Sequence, residues 1–262
     1  MRSGYNPTRR NRNIGTSAQG HGSDNRFTIP RICQEERTWW EQISAYEFAE
    51  YTVHGRSVAF ITEKTHPGYI HACTIGDVLT ILGSLPQRDV DGMNTIVFRQ
   101  PTSKQRIMAP VWGRMAYSAS IGRPAKRESR IGPANFLEAQ SPSEILNMSE
   151  SLDSEDLQEV ERLVADGHRL EDNGKVLKFH STPESIRNTQ LYRTLIHEIG
   201  QWVDWLENVV RPAGGKLEDE EMLSENYFSR SKNEREAFAH RYAQNMGRLL
   251  RQRNLIPFST TT

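Results

Sequence analysis

An α+β fold with a small, mostly antiparallel sheet is the architecture this sequence predicts, and three observations predict it. Short apolar runs bounded by turn residues occupy the chain up to about residue 180. Two long helical patterns fill most of the chain beyond Pro183. Nothing of linker-like composition interrupts residues 27–258, so one folded domain is expected there. No internal repeat is evident.

Taken in order, residues 1–26 are rich in Arg, Asn, Gly and Ser and hold almost nothing to bury, which predicts a disordered basic tail. Trp39 to Ala49 suits a helix, and Ser57 to Thr62 a short apolar strand. Thr74 can cap a helix whose Ile75, Val78, Leu79 and Leu82 recur at helical spacing until Pro86 stops it. After an Asp91-Gly92 turn comes a strand from Asn94 to Arg99. Two more strands are expected: Ile107 to Tyr117, broken by Pro110, and Pro133 to Ala139. The polar, basic stretch Ser118 to Arg130 reads as an exposed loop between them. Ser154 to Gly167 reads as a surface helix with Leu157, Val160, Leu163 and Val164 on one face. Lys175 to Phe179 comes after an Asn173-Gly174 turn as another strand. The final helices are expected from Pro183 to Val209 and from Lys232 to Arg253.

Composition narrows the function classes. Lys plus Arg and Asp plus Glu are equal at 33 each in 262 residues, so no whole-molecule field draws the chain to nucleic acid or to an acidic membrane. Arg9, Arg10 and Arg12 in the tail and the Arg123 to Arg130 loop are the places where phosphate contact would be sought. Cys33 and Cys73 form no CxxC pair and make a disulfide framework improbable. Neither a secretory leader nor an apolar run of about 20 residues is visible. The expectation is a soluble, cytoplasmic protein.

The chemistry-bearing stretch is Leu195-Ile196-His197-Glu198-Ile199-Gly200-Gln201-Trp202-Val203-Asp204. It is one residue short of His-Glu-x-x-His, which places two imidazoles one helical turn apart with a glutamate beside them. Leu191, Leu195, Ile199 and Val203 repeat every fourth residue as a buried stripe. His197 and Gln201 therefore share a face, roughly 6 Å apart at their Cβ atoms. Gly200 leaves room for another chain to approach. A second element, Glu234 to Ala243, puts Glu236 and His240 four apart on one face, and a carboxylate from a second helix is a usual third zinc ligand.

These two segments resemble the gluzincin metallopeptidases, most closely the lethal-factor-like group, in which a His-Glu-x-Gly-His-x-Val-Asp helix precedes a Glu-x-Phe-Ala helix. His197, Glu198, Gly200, Val203 and Asp204 match the first motif; Glu236, Phe238 and Ala239 match the second. The resemblance implies a zincin-like fold with the sheet packed on the motif helix and a C-terminal helix carrying the third-ligand Glu. It implies zinc held by His197 and Glu236, with Glu198 as general base and Asp204 as a supporting group. It also implies a peptide or protein substrate lying along Pro133 to Ala139 as an edge strand. Tyr227 is a candidate donor to a developing oxyanion.

Gln201 departs from the motif, since an amide oxygen is a poor zinc ligand beside imidazole. Three outcomes stay open. Zinc can be held weakly by His197, Glu236 and the Gln201 oxygen; His240 can supply the missing nitrogen; or the metal is lost and the scaffold binds a peptide or partner protein without turnover. In that last case His197 is a buried histidine hydrogen-bonded to Glu236. Glu236 has its own plainer reading, a surface pair with Arg193 or Arg235. Trp202 and Trp205 are expected in the core, and His66, His71 and Cys73 fit no common metal spacing.

Overall fold

The computed structural model describes residues 41–108, 110–122, 130–149 and 154–261. These lie within one compact unit, Arg37–Thr262. The expected tail at residues 1–26, Cys33, Trp39, Trp40 and residues 123–129 of the expected loop lie outside the described residues.

The chain begins with a hairpin, β1 (Tyr46–Val53) and β2 (Arg56–Glu63), closed by His54 and Gly55 with φ of 49° and 78°. Two consecutive left-handed residues match the right-handed strand twist in a two-residue hairpin turn. The helix expected over Trp39 to Ala49 is therefore corrected: from Tyr46 onward the chain is a strand. Its half-exposed side chains blur the alternation, and the register is imposed by pairing with β2.

Helix α1 (Ile75–Ser84) carries a reciprocal capping box between Thr74 and Asp77. It crosses from β2 to β3 (Thr95–Arg99), which pairs parallel to β2. Next comes α2 (Ser103–Met108), whose last two residues open the segment, Ile107 to Tyr117, expected as a strand. The Thr102 hydroxyl accepts from the Gln105 N–H at 3.3 Å and Gln105 Oε1 accepts from the Thr102 N–H at 2.9 Å. That Thr-x-x-Gln box is a helix-start signal, and Ile107, 82 % exposed, is not a core residue. Beyond Pro110 the chain forms β4 (Gly113–Ile121), then β5 (Arg130–Glu138), antiparallel to each other with a bulge between Ala116 and Ala119. Ser118 to Ile121 is thus strand rather than loop.

The sheet order is β1-β2-β3-β5-β4, with β3 and β5 parallel. Two of its four pairings are parallel, so the main sheet is mixed rather than mostly antiparallel; the crossover through α1 brings β3 in parallel to β2. Strand β5 is also interior, which corrects its assignment as the edge: β4 holds that place. Central strands β2 and β3 read as continuous apolar runs because both faces are buried. Phe60, Ile96 and Phe98 enter the core on one face, and Ile61 and Val97 pack with Phe136 on the other.

A second, antiparallel sheet of β6 (Ile145–Ser149), β7 (Arg169–Asp172) and β8 (Val176–His180) runs in the order β6-β8-β7. Against it packs α3 (Ser154–Ala165) through Val160 and Leu163, while Leu157 and Val164 remain exposed. Then α4 (Pro183–Thr189), a π turn over Gln190–Thr194, α5 (Leu195–Trp205), a second π turn over Leu206–Val210 and α6 (Arg211–Ala213) succeed one another without a break. Leu191, Leu195, Ile199 and Val203 are buried in the main core as the periodicity predicts, and Trp202 and Trp205 join them.

Helix α7 (Leu217–Ser229) opens with Glu218, Asp219 and Glu220, acidic residues that complement a helix N-terminus. Ser231 and Glu234 cap α8 (Lys232–Gln252) reciprocally. The molecule is α+β, and among the described residues no helix is long and apolar enough to cross a membrane.

Candidate metal centre

Helices α5 and α8 pack closely at Gly200. A Cβ built there would meet Ala239 Cα and O at 3.1 Å and Tyr242 Cδ1 at 3.0 Å. This contact brings the two chemistry-bearing faces together. Ligand atoms of His197, Glu236 and His240 all lie within 4.8 Å of one another. The His197 and His240 rings stand 4.5 Å apart between centroids.

His197 is placed between two carboxylates. Its Nδ1 lies 3.2 Å from Glu198 Oε1, and its Nε2 lies 3.3 Å from Glu236 Oε2. Although 3.3 Å is within ion-pair range, His197 Nε2 is buried and no acceptor meets it at hydrogen-bonding geometry. An imidazole nitrogen fixed from behind by a carboxylate, aimed at a second carboxylate and unbonded there, is the local arrangement of a metal-ligating histidine. The donor set also fits: two imidazoles and one carboxylate make a three-protein-ligand zinc site. Tetrahedral zinc needs those atoms about 3.4 Å apart, within reach of side-chain rotation from 4.8 Å.

Burial opposes charge on His197, yet Glu198 and Glu236 outweigh it and lift its pKa to about 9. Glu236 is lowered, chiefly by its interaction with His197. His240 is pushed down to about 4, first by partial burial and then by the neighbouring positive His197, so it is neutral at pH 7, whereas His197 must release a proton before it can ligate.

Gln201 stands beside this cluster as a donor. Its Nε2 lies 3.4 Å from both Glu236 oxygens, and the orientation is set because a carboxylate only accepts. The side chain therefore braces Glu236 and turns its amide oxygen away. Glu236 pairs with neither Arg193 nor Arg235; Arg193 is engaged by Glu159 and Asp166.

No protein-family model, curated protein or solved structure matches this chain.

Tyr227 is not brought into the cluster. It sits in α7 rather than a loop, is 2 % exposed, and donates to Asp204 Oδ2 at 3.0 Å. Asp204 also accepts from Asn208 and Arg230, so it ties α5 to α7. Cys73 is a buried free thiol and His71 Nε2 lies 2.7 Å from the Glu63 carbonyl, so those residues serve the core. Two residues of edge strand β4, Arg114 and Tyr117, carry no motif in the sequence. Both lie near enough to Glu198 to feel its charge. Tyr117 stacks on Trp205 at 4.5 Å. The register of β4 shifts between Ala116 and Ala119, beside Tyr117, and no sequence signal marks the shift.

Proposed function

We propose that this chain is a gluzincin-like metallopeptidase-fold protein in which His240 supplies the nitrogen that Gln201 does not. His197 and Glu236, from the motif helix and the C-terminal helix, would complete the zinc donor set. The observation that carries this reading is the convergence of His197, Glu236 and His240 within 4.8 Å, with His197 Nε2 buried, in ion-pair range of Glu236 and without an acceptor at hydrogen-bonding geometry. When bound, zinc polarises a peptide carbonyl and acidifies water. Glu198 holds the His197 ring so that Nε2 faces the other two donors, and its second oxygen is the acceptor for a proton released at the site. Gln201 braces Glu236. An extended peptide adds to the free side of β4, where Arg114 and Tyr117 flank Glu198.

A second reading, the same scaffold binding a peptide or partner protein without turnover, is favoured by one contact. Glu198 spends Oε1 on His197 Nδ1, which removes half of the carboxylate from proton transfer.

Metal analysis of purified protein, paired with cleavage of a fluorogenic peptide library, tests both. Near-stoichiometric zinc that is lost in Glu236→Ala and in His240→Ala, with peptide cleavage lost alongside it, supports the peptidase. Zinc without cleavage supports the binding module. Protein that takes up no zinc from a metal-buffered solution sinks the centre itself.

A further inference from the structure

A separate hydrogen-bonded chain lies where α3, β8 and α4 meet. His168, 3 % exposed, sits just before β7. Its Nε2 lies 2.9 Å from Thr189 Oγ1 and its Nδ1 3.0 Å from Ser181 Oγ. Thr189 Oγ1 donates to Asp166 Oδ2 at 2.8 Å, and Arg193 Nε holds the same oxygen at 2.8 Å.

Chemistry fixes the direction of every bond. A carboxylate only accepts, so the single Thr189 proton goes to Asp166. The Thr189 oxygen must then accept from His168 Nε2–H. Burial pushes the His168 pKa down, leaving the ring neutral and its Nδ1 lone pair free to accept from the Ser181 hydroxyl. Ser185 Oγ, 3.4 Å from the same nitrogen, has a nearer acceptor in the Thr182 carbonyl at 3.1 Å. The polarity thus runs from serine through histidine and threonine to aspartate, the order that activates a serine nucleophile.

Ser181 also borders a cavity of about 240 Å³ between the two sheets, walled in part by Trp112 and Ile186. Three arginines, Arg99, Arg106 and Arg114, line it against two carboxylates, Glu138 and Glu144. Glu138 is paired with Arg99 and Arg114 and Glu144 with Arg106, so the wall carries a surplus of one positive charge, and that surplus favours a ligand carrying negative charge.

We propose that Ser181 is a nucleophile activated by His168, with Thr189 and Asp166 as positioning residues, that hydrolyses small esters bearing an anionic group. Ser181 Oγ bonds to the acyl carbon as its proton passes to His168 Nδ1. The ester C–O bond breaks and the alcohol leaves with that proton. Water then attacks the acyl group, giving a proton to His168; the bond to Oγ breaks, and His168 returns the proton to Oγ. Ester plus water become alcohol plus acid. This site shares no residue with the α5–α8 centre.

Labelling of the full chain with a fluorophosphonate tests the nucleophile, because Oγ–P forms as P–F breaks. The expected result is one adduct on the Ser181 peptide, absent in Ser181→Ala and unaffected by a chelator. Labelling should slow by about a hundredfold in Thr189→Val and recover in Thr189→Ser, since the hydroxyl rather than the side-chain volume carries the relay. Melting temperatures identify folded variants, and Asp166→Asn gives a second reading where Thr189→Val melts early. No adduct on Ser181, or relay variants labelled at the native rate, overturns the proposal. Nitrophenyl hemisuccinate should be hydrolysed faster than nitrophenyl acetate; equal rates overturn the assigned substrate class.

Discussion

Gly200 sets how closely the two ligand-bearing helices approach. With Ala239 backbone 3.1 Å from where a Cβ would stand, Gly200→Ala must push α8 outward by a few tenths of an ångström. Overpacking of this kind costs about 1–3 kcal/mol. The expected outcome is a lowered melting temperature together with weaker zinc uptake, read by thermal unfolding and by metal titration. Gln201→His makes the opposite change. It places an imidazole where an amide now braces Glu236, and zinc affinity should rise by about tenfold or more. An affinity no higher than that of the native chain would show that position 201 does not face the centre. At this scale the sequence is informative: helical spacing places Glu236 and His240 on one face, the resemblance implies His197 and Glu236 as ligands, and the structure brings all three together. The donor role of Gln201 is not legible there, because it depends on which neighbour accepts from it.

Among the elements, the β3–β5–β4 portion of the sheet is tied by one buried carboxylate. Glu138 on β5, 2 % exposed, accepts from Arg99 Nη1 on β3 through both oxygens and from Arg114 Nε on β4. Burial pushes its pKa upward, against the pull of the two arginines. Glu138→Gln removes the negative charge and leaves two guanidinium groups facing each other. Loss of about 3–5 kcal/mol is expected from denaturant unfolding, the usual result of breaking a buried pair from one side. The elements that periodicity and caps expose are readable in the sequence, among them α1, α8 and the run from Pro183. Strands β6 and β7 are not, being short and of weak alternation. Only the end of helix α2, Ile107 and Met108, falls in a segment expected as strand, and its start signal lies earlier, in Thr102 and Gln105.

Across the whole molecule, Asp77 joins distant parts of the chain. Its carboxylate takes two guanidinium bonds from Arg187, at 3.0 and 2.8 Å, and the backbone N–H of Thr261 at 2.9 Å. Burial raises its pKa, but the Arg187 bonds and the two backbone donors prevail and hold it below the ordinary carboxylate value. A depressed acid stabilises the fold above its unfolded pKa, near 3.9, and that contribution fades as pH falls through the lower folded value. Urea midpoints should therefore decline below about pH 4. Asp77→Asn should be less stable at neutral pH and flatter over that acid range; a native-like slope in the variant would remove Asp77 as the cause.

Sequence alone determined the α+β class, the buried stripe of the motif helix and the residue types able to hold a metal, because helical spacing and chain chemistry are local properties. Tertiary structure decided which strand is the edge, that Tyr227 serves Asp204, and that His168 and Ser181 meet across 13 residues. Those outcomes depend on strand order and on hydrogen-bond partners contributed from far along the chain, and no local pattern encodes them.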